Sequence, residues 1–104
     1  MSDGNVMGFA WYDPESFEAL REKMPDMSES YDDWLMGAKK DLQRAVKEGY
    51  RVIRIAVRPQ EFYPWCQRQG IIYPNIRDRR AYAAEQAALL VKAERAGRGL
   101  FGLF

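Results

Sequence analysis

The stretch YRVIRIAVR, at positions 50–58, decides the fold because apolar side chains recur at every second position. Successive side chains of an extended strand point to opposite faces, so this alternation predicts a β-strand with two unlike faces. The two predicted faces are Ile53, Ile55 and Val57 on one side, and Val52, Arg54, Ala56 and Arg58 on the other. We expect the first face to pack against the core and the second, partly basic face to be more exposed.

A second strand is predicted upstream, where residues 6–12 form the short apolar and aromatic run VMGFAWY. Asp13 and Pro14 end this run and begin a helix, because aspartate is a favoured N-cap and proline is favoured at the first helical position. Tyr12 and Phe17 stand at the spacing of a hydrophobic staple across the helix start. The expected helix covers residues 14–24 and ends before Pro25.

The second predicted helix has the strongest pattern in the chain. Ser30 and Asp33 form a capping-box-like start, and Gly49 is the expected left-handed stop, which places the helix at residues 31–48. Its apolar residues recur at spacings of three and four: Tyr31, Trp34, Leu35, Ala38, Leu42, Ala45 and Val46. We expect this stripe to belong to the core.

Two more helices are predicted after the second strand. Pro59 opens a helix that ends at Gly70, and Pro64 inside it is expected to distort the helix or to split it. Asn75 and Asp78 repeat the cap pattern and begin a long alanine-rich helix, which we expect to end near residue 96.

Together these elements predict an α/β domain, with α+β as the alternative class. We expect a two-stranded sheet with four helices in the order β-α-α-β-α-α, and parallel strands if each crossover has the usual right hand. A shift of 45 positions brings the two β-α-α halves into phase, which suggests an internal duplication. Residues 1–97 are expected to form a single domain, and residues 98–104 an apolar tail.

Composition places the chain among globular proteins, since 47% of its 104 residues are hydrophobic and 30% are charged. Cys66 is the only cysteine, so we expect no internal disulfide and a reducing, cytoplasmic location. No apolar run approaches the roughly 20 residues of a membrane span, and the first residues lack the pattern of a signal peptide. We therefore expect a soluble protein without a membrane partner.

Acidic and basic residues are unevenly distributed, although the formal net charge is only +1. Residues 1–34 hold nine acidic and two basic residues, whereas residues 35–104 hold six acidic and fourteen basic ones. Either the two regions pair with each other inside the fold, or the excess of one sign serves a charged partner. We favour internal pairing because the total charge is almost zero.

Candidate partner-binding residues fall into two groups. The first combines arginines of the second strand and of the last helix with two tyrosines as stacking neighbours: Arg54, Arg58, Arg77, Arg79, Arg80, Tyr63 and Tyr73. Basic residues in the first turn of a helix oppose the helix dipole, which indicates that some other contact favours them there. The second group is an apolar segment expected to dock on the core, on a second copy or on a partner: Leu100, Phe101, Leu103 and Phe104.

Catalytic signals are weak throughout the chain. It contains no histidine, which removes Cys-His and Ser-His-Asp nucleophile systems and the commonest transition-metal ligand. The acidic stretch at residues 26–32 lacks the glycine and the glutamate of a calcium loop. Cys66, beside Trp65, is interpreted as a small buried hydrophobe rather than a nucleophile. We identify no catalytic residue, metal site or cofactor site.

Three spaced motifs resemble a pattern shared by small bacterial proteins of unknown function. They are Tyr31-x-x-Trp34, then Gly49-x-x-Val52-x-x-Ile55-x-Val57-x-Pro59-x-x-Phe62-x-x-Trp65-Cys66-x-x-x-Gly70, then Arg80-x-Tyr82-Ala83-x-Glu85. The resemblance covers roughly residues 9–87 and implies a bacterial protein, but it supplies no activity, cofactor or catalytic residue.

Three functions stay open for this sequence. The first expectation is a non-catalytic interaction or accessory protein, with a homodimer as one form. The alternative is a nucleic-acid-associated protein that uses the basic residues of the first group. The third is an enzyme that acts through aspartate, arginine or tyrosine chemistry.

Overall fold

The computed structural model describes residues 5–101, with side chains described up to residue 97. Its elements are β1 (Val6–Trp11), α1 (Pro14–Lys23), α2 (Tyr31–Lys47), β2 (Arg51–Ala56), α3 (Pro59–Gln69) and α4 (Ile76–Phe101). The predicted order β-α-α-β-α-α and the predicted mixed α/β class are confirmed. The internal duplication stays a prediction.

The sheet consists of β1 and β2, which pair in parallel as predicted, with Gly8 opposite Ile53 and Trp11 opposite Ala56. Helices α1 and α2 form the crossover that a parallel pair requires. Within residues 5–101 the sheet has two strands, so each strand has one edge without a neighbouring strand. The predicted faces of β2 are confirmed at Ile55, which is buried, and at Arg54, which is exposed.

Helices α2 and α4 lie on opposite faces of the sheet. Gly8 faces α4, because a Cβ at this position would stand 2.5 Å from the carbonyl oxygen of Ala83 and 2.7 Å from the Cβ of Ala87. Trp11 points to the other face by strand alternation, and its ring meets that of Trp34 in α2 edge-on, 5.3 Å between centroids. The close approach of α4 therefore requires glycine at position 8.

The core extends from the carboxyl ends of the strands into α1, α3 and α4. Its most deeply buried large side chains are Phe17, Leu20, Met24, Val57 and Phe62. The predicted staple is confirmed, since the rings of Tyr12 and Phe17 meet edge-on with 5.8 Å between centroids. Cys66 belongs to this core as predicted, with 2% of its surface exposed.

Local caps begin and end the helices where the sequence predicts them. Asp13 caps α1 by accepting a hydrogen bond of 2.7 Å from the Ser16 N–H, and Ser30 caps α2 by accepting one from the Asp33 N–H. Gly49 follows α2 and ends it, because its backbone lies in the left-handed region with φ of +98°. These contacts satisfy backbone groups that the first and last turns leave without intrahelical partners.

Two helix predictions are wrong. Pro64 does not split α3, which is continuous, whereas the alternative of a distortion stays a prediction. The N–H that proline lacks would bond to the carbonyl of Gln60, which lies in an exposed first turn where water can bond to it. Helix α4 ends at Phe101 rather than near residue 96. Gly97 is not in the left-handed region and costs a helix only about 1 kcal/mol relative to alanine, so it does not stop α4.

The predicted core stripe of α2 is also wrong in its extent. Ala45 is the residue of α2 that is buried, whereas Trp34, Leu35 and Leu42 are half-buried and Val46 is 54% exposed. Helix α2 packs mainly against β2. Two strands about 4.8 Å apart make a sheet about as wide as one helix, about 10 Å, so a helix placed over β2 extends past the sheet and keeps part of its apolar stripe uncovered.

Candidate interaction surface

One edge of the sheet presents backbone groups outward from β1. The Val57 N–H donates a hydrogen bond of 3.0 Å to the carbonyl of Trp11, so the polar backbone groups of Trp11 point toward β2. Since these groups alternate in direction along a strand, the N–H and C=O groups of Val6, Gly8 and Ala10 point away from β2. We call these three residues the β1 edge.

The side chains around the β1 edge are apolar. The strand reads VMGFAW, without a charge or a proline, and all six of its residues are partly exposed. Natural sheets usually protect a free edge with charged residues, proline, a bulge or a covering segment. The sequence of β1 supplies no such protection.

A groove of about 830 Å³ follows the β1 edge. Helix α2 and its C-cap form one wall, and the first half of α4 forms the other. The lining residues are Gly37, Ala38, Asp41 and Arg44 of α2, Glu48 after it, and Ile76, Arg80 and Ala84 of α4. Because α2 lies over β2, the side chains of Met7, Phe9 and Trp11 stay half-covered beside it. The groove therefore combines an open strand edge with a strip of exposed apolar surface.

Charges of both signs line this groove. Asp41 and Arg44 form an exposed ion pair along α2, with 3.7 Å between Oδ1 and Nη1. Other acidic and basic lining residues are Asp26, Glu29, Glu48, Arg79 and Arg80. A wall of alternating sign does not select a strongly acidic or a strongly basic ligand.

Arg79 anchors one end of the groove and is 4% exposed. Its Nε donates to the Tyr12 hydroxyl at 2.9 Å, and its Nη1 donates to Asp26 Oδ1 at 3.1 Å and to the Met24 sulfur at 3.2 Å. This arginine thus ties α4 to β1 and to the segment between α1 and α2. The unfavourable position of a basic residue near the start of α4 is explained by this pair with the acidic N-terminal third.

Asp26 connects the same network to the helix start. Its second oxygen accepts a hydrogen bond of 2.8 Å from the Ile76 N–H, at the N-terminus of α4. Partial burial disfavours the charged carboxylate, but the hydrogen bond and the charge of Arg79 outweigh it, so the pKa of Asp26 lies below its ordinary value. Burial raises the pKa of the Tyr12 hydroxyl, and this effect is larger than the lowering caused by the charge of Arg79. Tyr12 is therefore a neutral acceptor at physiological pH.

The other predicted arginines do not form one face. Arg54 lies on the α2 side of the sheet, where its guanidinium stands 5.4 Å from the centroid of the Trp11 ring. Arg77 and Arg80 are exposed on α4, which covers the opposite side. Arg58 is exposed just before α3. The five arginines of the first candidate group are thus divided between two faces and the interior.

The two predicted stacking tyrosines are also separated. Tyr63 is half-buried, with the Lys23 ammonium 5.3 Å from its ring centroid, and its buried hydroxyl has no hydrogen-bond partner among the described residues. Burial raises the pKa of this hydroxyl. Tyr73 is 87% exposed beside Ile72, which is 78% exposed, in the segment between α3 and α4. That segment presents apolar surface shortly before Ile76, which lines the groove.

The remaining candidate groups give little chemistry. Leu100 and Phe101 lie in the last turn of α4 with side chains outside the described residues, and Leu103 and Phe104 lie outside them altogether. Burial raises the pKa of the Cys66 thiol, and the charge of Asp78 adds to this effect. Such a thiol is a poor nucleophile. Residues 5–101 contain no group of three or more acidic or cysteine side chains that could hold a metal ion.

Sequence reasoning missed the β1 edge, although part of its signal is visible in the sequence. The run VMGFAW contains a glycine and no charge, whereas the other strand, RVIRIA, carries two arginines. The pairing partner and the position of α2 decide which edge stays open. Those depend on tertiary packing, so the periodicity of either strand alone does not show them.

Comparisons with protein-family models, with curated proteins and with solved structures give no significant match to this chain. Within the described part of the chain, none of the helices has both the length and the apolar character needed to cross a membrane. The groove geometry is therefore the observation from which a function is argued.

Proposed function

We propose that this protein is a non-catalytic interaction protein of the bacterial cytoplasm that binds an extended polypeptide segment as an added strand on the β1 edge. A homodimer is one form of this function. The observation that carries the proposal is the row of outward backbone groups at Val6, Gly8 and Ala10, on an uncharged strand that lines a groove. A reducing compartment suits the single buried thiol of Cys66.

Strand addition matches both components of this groove. The main-chain bonds of an added strand supply affinity without requiring a particular sequence, and pockets for alternate side chains supply selectivity. On the α2 side, alternate side chains of the ligand would cover Phe9 and Trp11, which are half-buried. On the α4 side, the small side chain of Ala84 leaves room for the remaining side chains of the ligand.

The polar network at the end of the groove supports a structural role for its members. Arg79 and Asp26 bond to each other, and their further bonds go to Tyr12, Met24 and the N-terminus of α4. The bond to Tyr12, the residue after β1, fixes the end of β1 relative to α4, and the other bonds fix the segment between α1 and α2 to α4. A rigid wall favours strand addition because the ligand then orders itself against a preformed edge.

The test is selection from a random twelve-residue peptide display library on the protein immobilised at low density. Enriched peptides, synthesised with a fluorophore, are titrated with wild type, with Ala10→Pro and with Ala56→Pro. Both alanines have outward N–H groups, Ala10 on the β1 edge and Ala56 on the opposite edge. Proline removes that donor while tolerating an edge position.

We expect the enriched peptides to alternate apolar residues and to bind Ala10→Pro at least about tenfold more weakly than wild type. Binding to Ala56→Pro should stay within about twofold of wild type. The proposal is wrong if the enriched peptides bind Ala10→Pro as well as they bind wild type. It is also wrong if no peptide is enriched and the chain does not pair with itself through the β1 edge.

A further inference from the structure

We infer that the segment which fills the β1 edge is β1 of a second copy of this chain, paired antiparallel across a two-fold axis. This inference rests on the proposed function, because it names the partner of the same edge. The result is a continuous four-stranded sheet in the order β2-β1-β1-β2. Closed two-fold dimers of this kind use one surface on both subunits.

The pattern of outward groups fits such a pairing. Val6, Gly8 and Ala10 are spaced evenly about Gly8, so an axis at Gly8 pairs Gly8 with its own copy and Val6 with Ala10 of the second copy. In an antiparallel pair, every second pair of directly opposite residues is joined by two hydrogen bonds, one from each N–H to the C=O of the other residue. Every outward group of the β1 edge then obtains a partner.

The apolar surface beside the edge also favours a second copy over an isolated peptide. Phe9 and Trp11 lie half-covered on the α2 side of β1. In this register Phe9 of each copy stands opposite Met7 of the other, so these apolar side chains cover each other between the α2 helices. On the other face, Ala84 and Ala88 lie one turn apart on an exposed flank of α4, where small side chains permit two helices to approach.

The two charged residues on the α2 wall of the groove can pair with the same two residues of a second copy. Helix α2 runs antiparallel to β1, from Trp34 near the end of the strand to Ala45, whose carbonyl accepts a bond from the Tyr50 N–H just before β2. Arg44, next to Ala45, therefore lies near the first residues of β1, and Asp41, about one turn earlier in α2, lies near the middle of the strand. A two-fold axis there brings Asp41 of one copy toward Arg44 of the other, and the reverse.

The opposite edge explains why assembly ends at two copies. Arg54 is exposed on β2, and Arg58 follows the strand immediately before Pro59. Charges and proline on an edge oppose further strand pairing. A dimer through β1 consequently has two protected outer edges and does not extend into a fibre.

The experiment measures the mass of the full chain by sedimentation equilibrium between about 2 and 200 µM. Wild type and Ala56→Pro should dimerise with dissociation constants within about threefold of each other. Ala10→Pro should weaken dimerisation at least about tenfold. Circular dichroism melts of all three proteins show which variants are folded at the measurement temperature.

A second pair of variants avoids the strand altogether. Ala84→Glu places a charge beside the β1 edge, and Ala93→Glu places the same charge on another exposed flank of α4. We expect the first to weaken the dimer at least about tenfold and the second to leave it within about twofold of wild type.

Two results overturn the inference: a wild type that is monomeric up to about 200 µM, or a dimer that Ala10→Pro and Ala84→Glu leave intact. If wild type is monomeric but library peptides bind through Ala10, the second-copy inference fails and the proposed function stands. If a dimer forms and depends on Ala10, while library peptides fail, strand addition is restricted to self-association.

Discussion

The two edges of the sheet have the same backbone geometry and different side-chain surroundings. Each presents three outward residues, Val6, Gly8 and Ala10 on β1, and Val52, Arg54 and Ala56 on β2. The first set belongs to a strand without a charged residue, whereas the second set includes Arg54. Ala56 of the second set also lies beside Glu61 and Arg68 of α3. Outward backbone groups are common to both edges, so in the proposed function the charge on the strand itself distinguishes the edge that accepts a strand.

Fixed arginines contribute to the protection of β2. Arg51 forms a two-pronged ion pair with Glu94 of α4, with bonds of 2.9 and 2.7 Å. Arg54 lies over the Trp11 ring, so its charge stays beside the strand rather than moving freely in solvent. The residues of β1 itself carry no charge, and Arg54 of β2 lies over the ring of its last residue.

The largest expected effect comes from Gly8→Ala, which tests how β1 is held. A methyl group at this position collides with backbone and Cβ atoms of α4, so we expect a loss of about 2–3 kcal/mol in the free energy of unfolding. The control is Gly37→Ala on α2, where a Cβ has no neighbour within 4 Å. It should stabilise the helix by about 0.5–1 kcal/mol, as measured in urea melts. Equal effects of the two substitutions would contradict the close packing of α4 on β1.

The next effect concerns the anchor at the end of the groove. Asp26→Asn leaves the buried Arg79 without its carboxylate, and we expect it to cost about 1–3 kcal/mol, less than a fully buried pair because Asp26 is partly exposed. Glu29→Gln removes an exposed acidic side chain that also lines the groove, and it should cost less than about 0.5 kcal/mol. Similar losses in the two variants would show that Asp26 is not an anchor.

The same pair gives a pH dependence with a definite sign. The pKa of Asp26 is lower in the folded protein than its ordinary value of about 3.9, so its stabilisation is present above that value. It is lost as pH falls through the lower folded pKa. Wild type should therefore lose stability below about pH 4 more steeply than Asp26→Asn in urea melts. Parallel curves for the two proteins would contradict this assignment.

The smallest expected effect is a charge exchange on α2. Asp41→Arg or Arg44→Asp alone should weaken the dimer up to about tenfold, because exposed pairs are worth about 0–1 kcal/mol each and the dimer contains two. The double variant, and an equimolar mixture of the two single variants, should both dimerise like wild type. A partner other than a second copy predicts no recovery in the mixture.

Local patterns in the sequence were sufficient to predict the helices, the strands and the parallel sheet. The caps at Asp13 and Ser30 and the glycine stop at Gly49 depend on residues close in sequence, and all three are confirmed. Trp34 and Leu42 were expected in the core because the periodicity of α2 is strong. Periodicity shows which face of a helix is apolar, but the width of the sheet beneath decides how much of that face is covered.

The candidate surface depended on contacts that are distant in sequence. Arg79 lies 53 positions from Asp26 and 67 from Tyr12, so the sequence indicated a preference for internal pairing without naming the partners. The openness of the β1 edge follows from the two-stranded sheet that residues 5–101 form and from the placement of α2 over β2. Neither arrangement has a local sequence signal.

Amide hydrogen exchange at the two edges tests the central claim most directly. The amides of Gly8 and Ala10 on β1 are compared with those of Arg54 and Ala56 on β2, at protein concentrations from about 5 to 500 µM. We predict that exchange at Gly8 and Ala10 slows at least about tenfold across this range, while exchange at Arg54 and Ala56 stays constant. Exchange that is independent of concentration at both edges, or that slows at the β2 edge instead, would contradict the account.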